Sequence, residues 1–397
     1  MFLLTACLTR SDKIADLAAY DKIVKPKFEG PVLTFTKRFS GNGKASGLNV
    51  KQTADGGYIL TGMIWNEDDY NSDLYVVKTD KSGGMLWEMA FGGAQADEGY
   101  SVVEADDGGY ALFGSTKSKG AGDSDMYLIK IDANGNKLWE KTYGGPGKES
   151  GRSIDKTDDG GYILFGFTRS FGAGGADMYA VKVDADGNET DSKTFGTHGD
   201  DWGRSVIQAS DGNYMLLGNT PGTHYDMLLI KTDCCGKELW RKTYGGLGKE
   251  KGQEIKETAD GGYVMIGTIT QYGRRDDDIY IVKINKDGRE EWSEIIGGKN
   301  RDWGYSVYET ADGGFVIGGS SKSYSDGDSD MYLLKVIRDG DTLYKVWERT
   351  FGGDKGDTGW SVEETTDGGY VFLGWTTSFG NERGEMYLIK VNADGDL

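Results

Sequence analysis

One short segment recurs along the whole chain: QTADGGY at 52–58, ETADGGY at 257–263, ETADGGF at 309–315 and ETTDGGY at 364–370. Its aspartate marks seven copies, Asp55, Asp107, Asp159, Asp211, Asp260, Asp312 and Asp367, at steps of 52, 52, 52, 49, 52 and 55 residues. A unit near fifty residues cannot bury a hydrophobic face alone, so the copies must stack on one another. In the second copy four short runs, Ser101–Ala105, Tyr110–Thr116, Met126–Ile131 and Leu138–Tyr143, are rich in the β-branched and aromatic residues that suit a pleated surface. Asp-Gly-Gly joins the first run to the second, and Asp-Ala-Asn-Gly or Asp-Ala-Asp-Gly joins the third to the fourth. Both turns supply the positive-φ residues of a tight hairpin. No copy has helical periodicity. Four antiparallel strands in each of seven units predict an all-β, seven-bladed β-propeller.

The two ends of the chain fit a closed ring. The last copy stops at VNADGDL, where its fourth strand should begin. Residues 32–41, VLTFTKRFSG, align instead with KLWEKTYGG, placing Phe35 at Trp139 and Phe39 at Tyr143. The N-terminal strand is therefore expected to complete the last blade, which leaves no long unpaired edge. The expected organisation is a lipobox at 1–7, a tether at 8–31 with one short helix around SDKIADLAAY, and the propeller at 32–397. Only 4 prolines interrupt the strands, while 64 glycines serve the turns. A net charge of −19 argues against nucleic acid or an anionic membrane surface as partner.

Leu4-Thr5-Ala6-Cys7 resembles the lipobox of bacterial lipoproteins. That resemblance implies cleavage before Cys7 and lipid on its sulfur and amino group, hence a cell envelope or cell surface location with membrane contact only through the anchor. A basic n-region and a full apolar h-region do not precede the motif, so the true start is expected to lie upstream. The repeat itself resembles the seven-bladed β-propeller family of bacterial and archaeal surface proteins, through YGG…DxGxSV…DGGY…GxT…DMYLIKxD…G across residues 32–397. That resemblance implies the fold and an envelope or extracellular module, and it implies no activity.

Two enzyme families share parts of the pattern. IDANGNKLWEKTYGG is similar to the tryptophan-docking repeat of quinoprotein dehydrogenases and of their non-catalytic outer-membrane lipoprotein relatives, and adjacent Cys234 and Cys235 add to that likeness. No distinct ligand set for cofactor and calcium accompanies it. TADGGY matches part of the sialidase Asp-box but lacks the closing aromatic, and the sialidase arginine cluster and Tyr–Glu pair are not found. Cys234 and Cys235 fall in a strand three–four turn, as either a strained vicinal disulfide or two exposed thiols. No metal site and no cofactor are expected, because the chain has two histidines and its Asp-Ala-Asp-Gly-Asn turns lack the later ligands of a calcium loop.

Residues present in every copy are weak functional candidates. An acid opens strand three in each (Asp73 to Glu385) and a lysine follows five residues on (Lys78 to Lys390), which suits structural hydrogen bonding. Function is expected where the repeat varies. Just before strand one the copies read ADEGYS, KESGRS, DDWGRS, KEKGQE, RDWGYS and GDTGWS. Their acids, among them Asp97, Asp201, Asp302 and Asp357, are expected as a ring at the channel mouth beside Tyr100, Trp202, Trp303, Tyr305 and Trp360. Acids with aromatic faces suit a sugar or a cationic protein segment. The shortened loop NTPGTHYD and the only histidines, His198 and His224, single out the sector between Trp202 and Trp303. The sequence thus points to a non-catalytic, envelope-anchored module that binds or assembles with a protein or glycan. The alternative is an envelope enzyme, glycan-active or quinoprotein-like, whose acid–base chemistry would rest on carboxylates.

Overall fold

The computed structural model describes residues 15–16, 32–41, 43–65, 71–222, 225–325, 327–380 and 383–397. Seven sheets of four antiparallel strands form a ring of blades; in six of them the strands run in sequence order from the channel outward, and in the seventh the outermost strand comes from the N-terminal segment. In blade two these strands are Asp97–Glu104, Tyr110–Thr116, Asp125–Ile131 and Lys137–Tyr143. The middle two are buried along their full length, while the outermost is largely open to solvent. The fold is an all-β, seven-bladed propeller, as the spacing predicts.

The apolar residues segregate into seven clusters, one at each junction between neighbouring blades. The cluster between blades seven and one joins Phe39, Ala45, Tyr75, Leu373 and Met386. Its existence depends on the closing strand. Phe35–Phe39 pairs antiparallel with Glu385–Val391, Phe35 opposite Lys390 and Phe39 opposite Met386. Phe35 packs over the turn glycine Gly83 of blade one, as Trp87 packs over Gly135 of blade two. The sequence alignment of Phe35 with the strand-four tryptophans is therefore a spatial equivalence.

The recurrent Asp-Gly-Gly turn does more than reverse the chain. Only its first glycine has positive φ (Gly108, 78°), and no other residue type does among the described residues. The aspartate instead uses its carboxylate, which accepts from the Gly109 amide at 2.9 Å and from Lys130 Nζ at 2.7 Å. Lys130 lies on strand three of the same blade, under the turn. The same ion pair forms in every blade: Lys78–Asp55, Lys182–Asp159, Lys231–Asp211, Lys283–Asp260, Lys335–Asp312 and Lys390–Asp367, at 2.6–3.0 Å. Except for Lys182, whose side chain is 21% exposed, these lysines are buried to within 8% of full. A buried ammonium needs such a partner. The structural role expected for these lysines holds, with the turn aspartate as the partner that makes each blade's inner hairpin one unit.

Two departures from strict repetition are resolved. The three extra residues of the sixth copy lengthen its outer hairpin to Asp330–Asp339 and Thr342–Phe351, closed by a two-residue turn at Gly340. Beside it Ala15–Asp16, within the stretch expected to form a short helix, is extended and pairs in parallel with Tyr344–Lys345. Cys7 and the rest of the expected tether up to residue 31 lie outside the described residues.

Candidate functional site

Each innermost strand is interrupted at the same place. In blade two Gly99 pairs with Gly114, pairing resumes at Ser101 with Phe113, and Tyr100 is left out of the ladder. The equivalent extra residue is Leu48, Arg152, Arg204, Gln253, Tyr305 or Trp360 in the other blades. Glycine makes this possible, because a Cβ on Gly114 would run into the carbonyl oxygen of Glu98. The two backbones close up and the added residue bulges. A bulge re-aims its side chain out of the normal alternation. All seven re-aimed residues line one cavity of about 610 Å³ at the centre of the ring.

These side chains are unlike one another, and their order around the ring sorts them into two sectors. Blades six, seven, one and two contribute Tyr305, Trp360, Leu48 and Tyr100, an aromatic and apolar arc. Blades three, four and five contribute Arg152, Arg204 and Gln253, a polar arc. The Tyr305 and Trp360 ring centroids lie 4.2 Å apart at 37°, so the two rings pack against each other. At one boundary the Arg152 guanidinium lies 4.0 Å from the Tyr100 ring centroid, within cation–π range. The Tyr100 hydroxyl donates to Glu98 at 2.6 Å. Burial pushes the Tyr100 and Tyr305 phenols up to about 12, so both stay neutral hydrogen-bonding groups. Burial and the neighbouring Arg152 pull Arg204 down to about 10, still cationic at neutral pH.

In six blades the residue after the bulge bonds to a neighbouring strand-one amide. Asn49 Oδ1 accepts from the Val102 amide at 3.1 Å, and Glu254 accepts from the Val307 amide at 2.9 Å. Ser361 accepts from the Val50 amide at 3.3 Å, continuing this belt across the closure. Further along the channel the charges are paired, with Lys51 on Glu363 and Lys256 on Glu254.

The acids expected at the channel mouth are placed differently. Asp97, Asp201, Asp302 and Asp357 are 0% exposed, as are Glu149 and Glu250 of the same position. They are wedged between blades and cap the turn that enters each blade. Asp97 accepts from the Gly93 amide at 2.8 Å, Asp201 from Thr197 at 2.7 Å, Asp302 from Gly298 at 2.7 Å and Asp357 from Gly353 at 3.1 Å. Burial and these bonds withdraw them from the channel surface, so no acidic ring faces it at this position. Glu250 is pushed up to about 7, first by burial and then by the nearby Asp226.

The aromatic candidates divide by one residue of register. Tyr100, Tyr305 and Trp360 follow the strand-one glycine and reach the cavity; Trp202 and Trp303 precede it and do not. Trp202 packs edge-on against Phe167 at 4.4 Å, and Trp303 donates to Asp277 at 3.2 Å, both at blade junctions. His198 is exposed and its Nδ1 lies 2.9 Å from the Ala173 carbonyl. His224 lies outside the described residues. Cys234 and Cys235 are exposed free thiols with sulfurs 3.7 Å apart, far beyond the ~2.05 Å of a disulfide bond. The Asp233–Gly236 turn that carries them closes like its counterparts in other blades. Sequence reasoning passed over Leu48, Arg152, Arg204 and Gln253. Their signal was present: in GLN, GYS, GRS, GRS, GQE, GYS and GWS, the residue after glycine changes chemical class from copy to copy.

No protein-family model matches the chain, and no curated protein sequence matches it. Solved structures do. Sqt1 from Chaetomium thermophilum superposes with a TM-score of 0.53 at 13% identity, over 92% of this chain and 100% of that one. The polysaccharide lyase Uly1 gives 0.54 at 12% identity, over 93% and 94%. A chain of the complex of Drosophila plexin A with semaphorin 1b gives 0.51 at 8% identity, over 92% and 88%. These likenesses show the fold alone.

Proposed function

We propose that this propeller is a non-catalytic binding module, anchored in the cell envelope, that takes a glycan or protein ligand at the bulge end of its central channel. One observation carries the reading. The frame repeats seven times, yet the bulge residue that each blade re-aims into the channel is not one chemical type, and the seven are arranged in an aromatic and apolar arc facing a polar one. Concave sites of this kind combine a large apolar surface with a few orienting polar groups. A symmetric structural plug would need no such asymmetry. The bulge-position groups also suit binding more than proton transfer, since their phenols and guanidinium titrate far from neutrality.

The test is a screen of the purified protein on a glycan array and against envelope extract, followed by variants. Trp360→Ala should weaken capture of the selected ligand about tenfold to a hundredfold, the scale of an anchoring aromatic, with little change in melting temperature. Trp202→Ala should do the reverse, lowering the melting temperature and sparing affinity. If Trp360→Ala binds as wild type does, the channel mouth is not the site. The anchoring part of the reading rests on the Leu4–Cys7 motif. Expressed with a complete signal peptide, the protein should partition into detergent and Cys7→Ser should release it; an unlipidated wild-type protein refutes that part.

A further inference from the structure

Two arginines stand side by side in the channel of a protein whose net charge is −19. Arg152 and Arg204 occupy the bulge position of adjacent blades, so the fold aims both guanidiniums into the same cavity. Elsewhere arginines such as Arg241 and Arg349 lie against carboxylates, those of Glu238 and Asp396. No ion pair joins Arg152 or Arg204 to a described acid. Arg204 Nε is buried and has no hydrogen-bond partner. The acids that line or rim this part of the channel are engaged elsewhere: Glu98 accepts from Tyr100, and Glu254 from Ser306, Val307 and Lys256.

Two like charges held together without a counter-charge repel. An anion entering the cavity relieves that repulsion. The planar fork of a guanidinium matches the two oxygens of a carboxylate or the face of a sulfate. Across the cavity the packed Tyr305–Trp360 pair offers aromatic surface to a sugar ring. Gln253 completes the polar arc with a neutral amide that can serve hydroxyl groups.

We infer that Arg152 and Arg204 form an anion-recognition site, and that the channel mouth takes an acidic saccharide whose carboxylate or sulfate engages the two guanidiniums while a sugar ring lies on Tyr305 and Trp360. This deepens the binding reading above and rests on it. A saccharide fits the arrangement better than an acidic peptide, because hydroxyl-bearing rings use the aromatic face and the Gln253 amide together.

The experiment is a titration of the full chain, followed by tryptophan fluorescence and calorimetry. The probes are a hexuronate oligosaccharide, a sulfated oligosaccharide, the neutral oligosaccharide of matching length, and an acidic peptide. One or both acidic saccharides should bind, with affinity falling as salt rises; which of them binds identifies the anion. Arg204→Gln and Arg152→Gln should each weaken binding at least tenfold with the melting temperature held. Arg204→Lys should restore only part of the loss, since a point charge lacks the fork. Equal binding of the neutral oligosaccharide, or unchanged affinity in both glutamine variants, overturns the anion site. Tighter binding of the acidic peptide overturns the saccharide. If Trp360→Ala abolishes binding while the arginine variants do not, the channel mouth is the site and only the anion assignment fails. If neither has an effect, the binding reading fails with it.

Discussion

Deleting residues 1–40 should remove a large part of this protein's stability, whereas deleting 1–31 should leave it nearly unchanged. The contrast isolates the closing strand. The longer deletion takes away five paired residues, Phe35–Phe39, and exposes the edge of Glu385–Val391. It also removes Phe39, 8% exposed within the cluster shared by blades seven and one, and Phe35, whose ring meets Tyr58 at 6.0 Å. Truncating a buried phenylalanine costs about 3–5 kcal/mol. Phe39 at that cost, the partly buried Phe35 at less and the lost ladder together amount to about 5–10 kcal/mol, comparable to the whole stability of an ordinary domain. Among the described residues, the shorter deletion removes the pairing of Ala15–Asp16 with blade six. Chemical denaturation of the three proteins provides the measurement. Coincident midpoints for wild type and the 1–40 deletion would show that the ring does not depend on this strand. Phe39→Ala should fall between the two.

The second large effect is expected at Asp312. Its side chain is 3% exposed and Lys335 beneath it is 8% exposed, the most enclosed of the seven turn clamps on the aspartate side. Asp312→Ala leaves the Lys335 ammonium buried without its counter-charge, which costs about 3–5 kcal/mol. The double variant Asp312→Ala with Lys335→Met should recover much of that loss, because neither charge then remains to be solvated. Asp107→Ala should cost less, since that carboxylate is 57% exposed and water already shares its work.

These clamps also set an acid limit. Burial works to raise the Asp312 carboxyl, but the bonds from Lys335 and Thr310 outweigh it and hold it below its ordinary range. All seven turn aspartates are lowered, Asp55 and Asp260 to about 2. A folded carboxyl below its unfolded value of about 3.9 adds stability that is complete above that value. It is lost as pH falls through the folded value. Stability should therefore be flat in this respect above about pH 5 and fall between about pH 4 and 2. The gap between wild type and Asp312→Ala should narrow over the same window. A gap that stays constant to pH 2 would mean that Asp312 acts through packing and not through charge.

The frame of this molecule was legible because its signals are local and repeated. The Asp-Gly-Gly spacing gave the blade count, and aligning Phe35 and Phe39 with Trp139 and Tyr143 gave the closure. The site was half legible. Strand one was expected to begin near Ser101, but it begins at Asp97, because a carboxylate that caps a turn can be buried when an amide such as that of Gly93 faces it. Polarity alone made Asp97 look exposed. The bulge then breaks the period of two on which facing is judged, and one residue of shift exchanges the faces of a strand. Tyr305 and Trp303 flank the same glycine, yet one reaches the cavity and the other packs between blades. Arg152 and Arg204 were passed over for a different reason. Isolated arginines in a charged repeat look like solvated surface until the ring sets two of them side by side.

The bulge residue has a consequence for how such a chain can change over generations. It is left out of the ladder with strand two, so the hydrogen bonds that define a blade do not depend on its identity. Duplicating a fifty-residue unit copies the scaffold together with one tunable letter, and mutation of that letter alters recognition without asking the scaffold to adapt. Folding and recognition are written at separate addresses, and a propeller of this type can acquire a new ligand by drifting at seven codons while the rest of the gene stays under unrelated constraint.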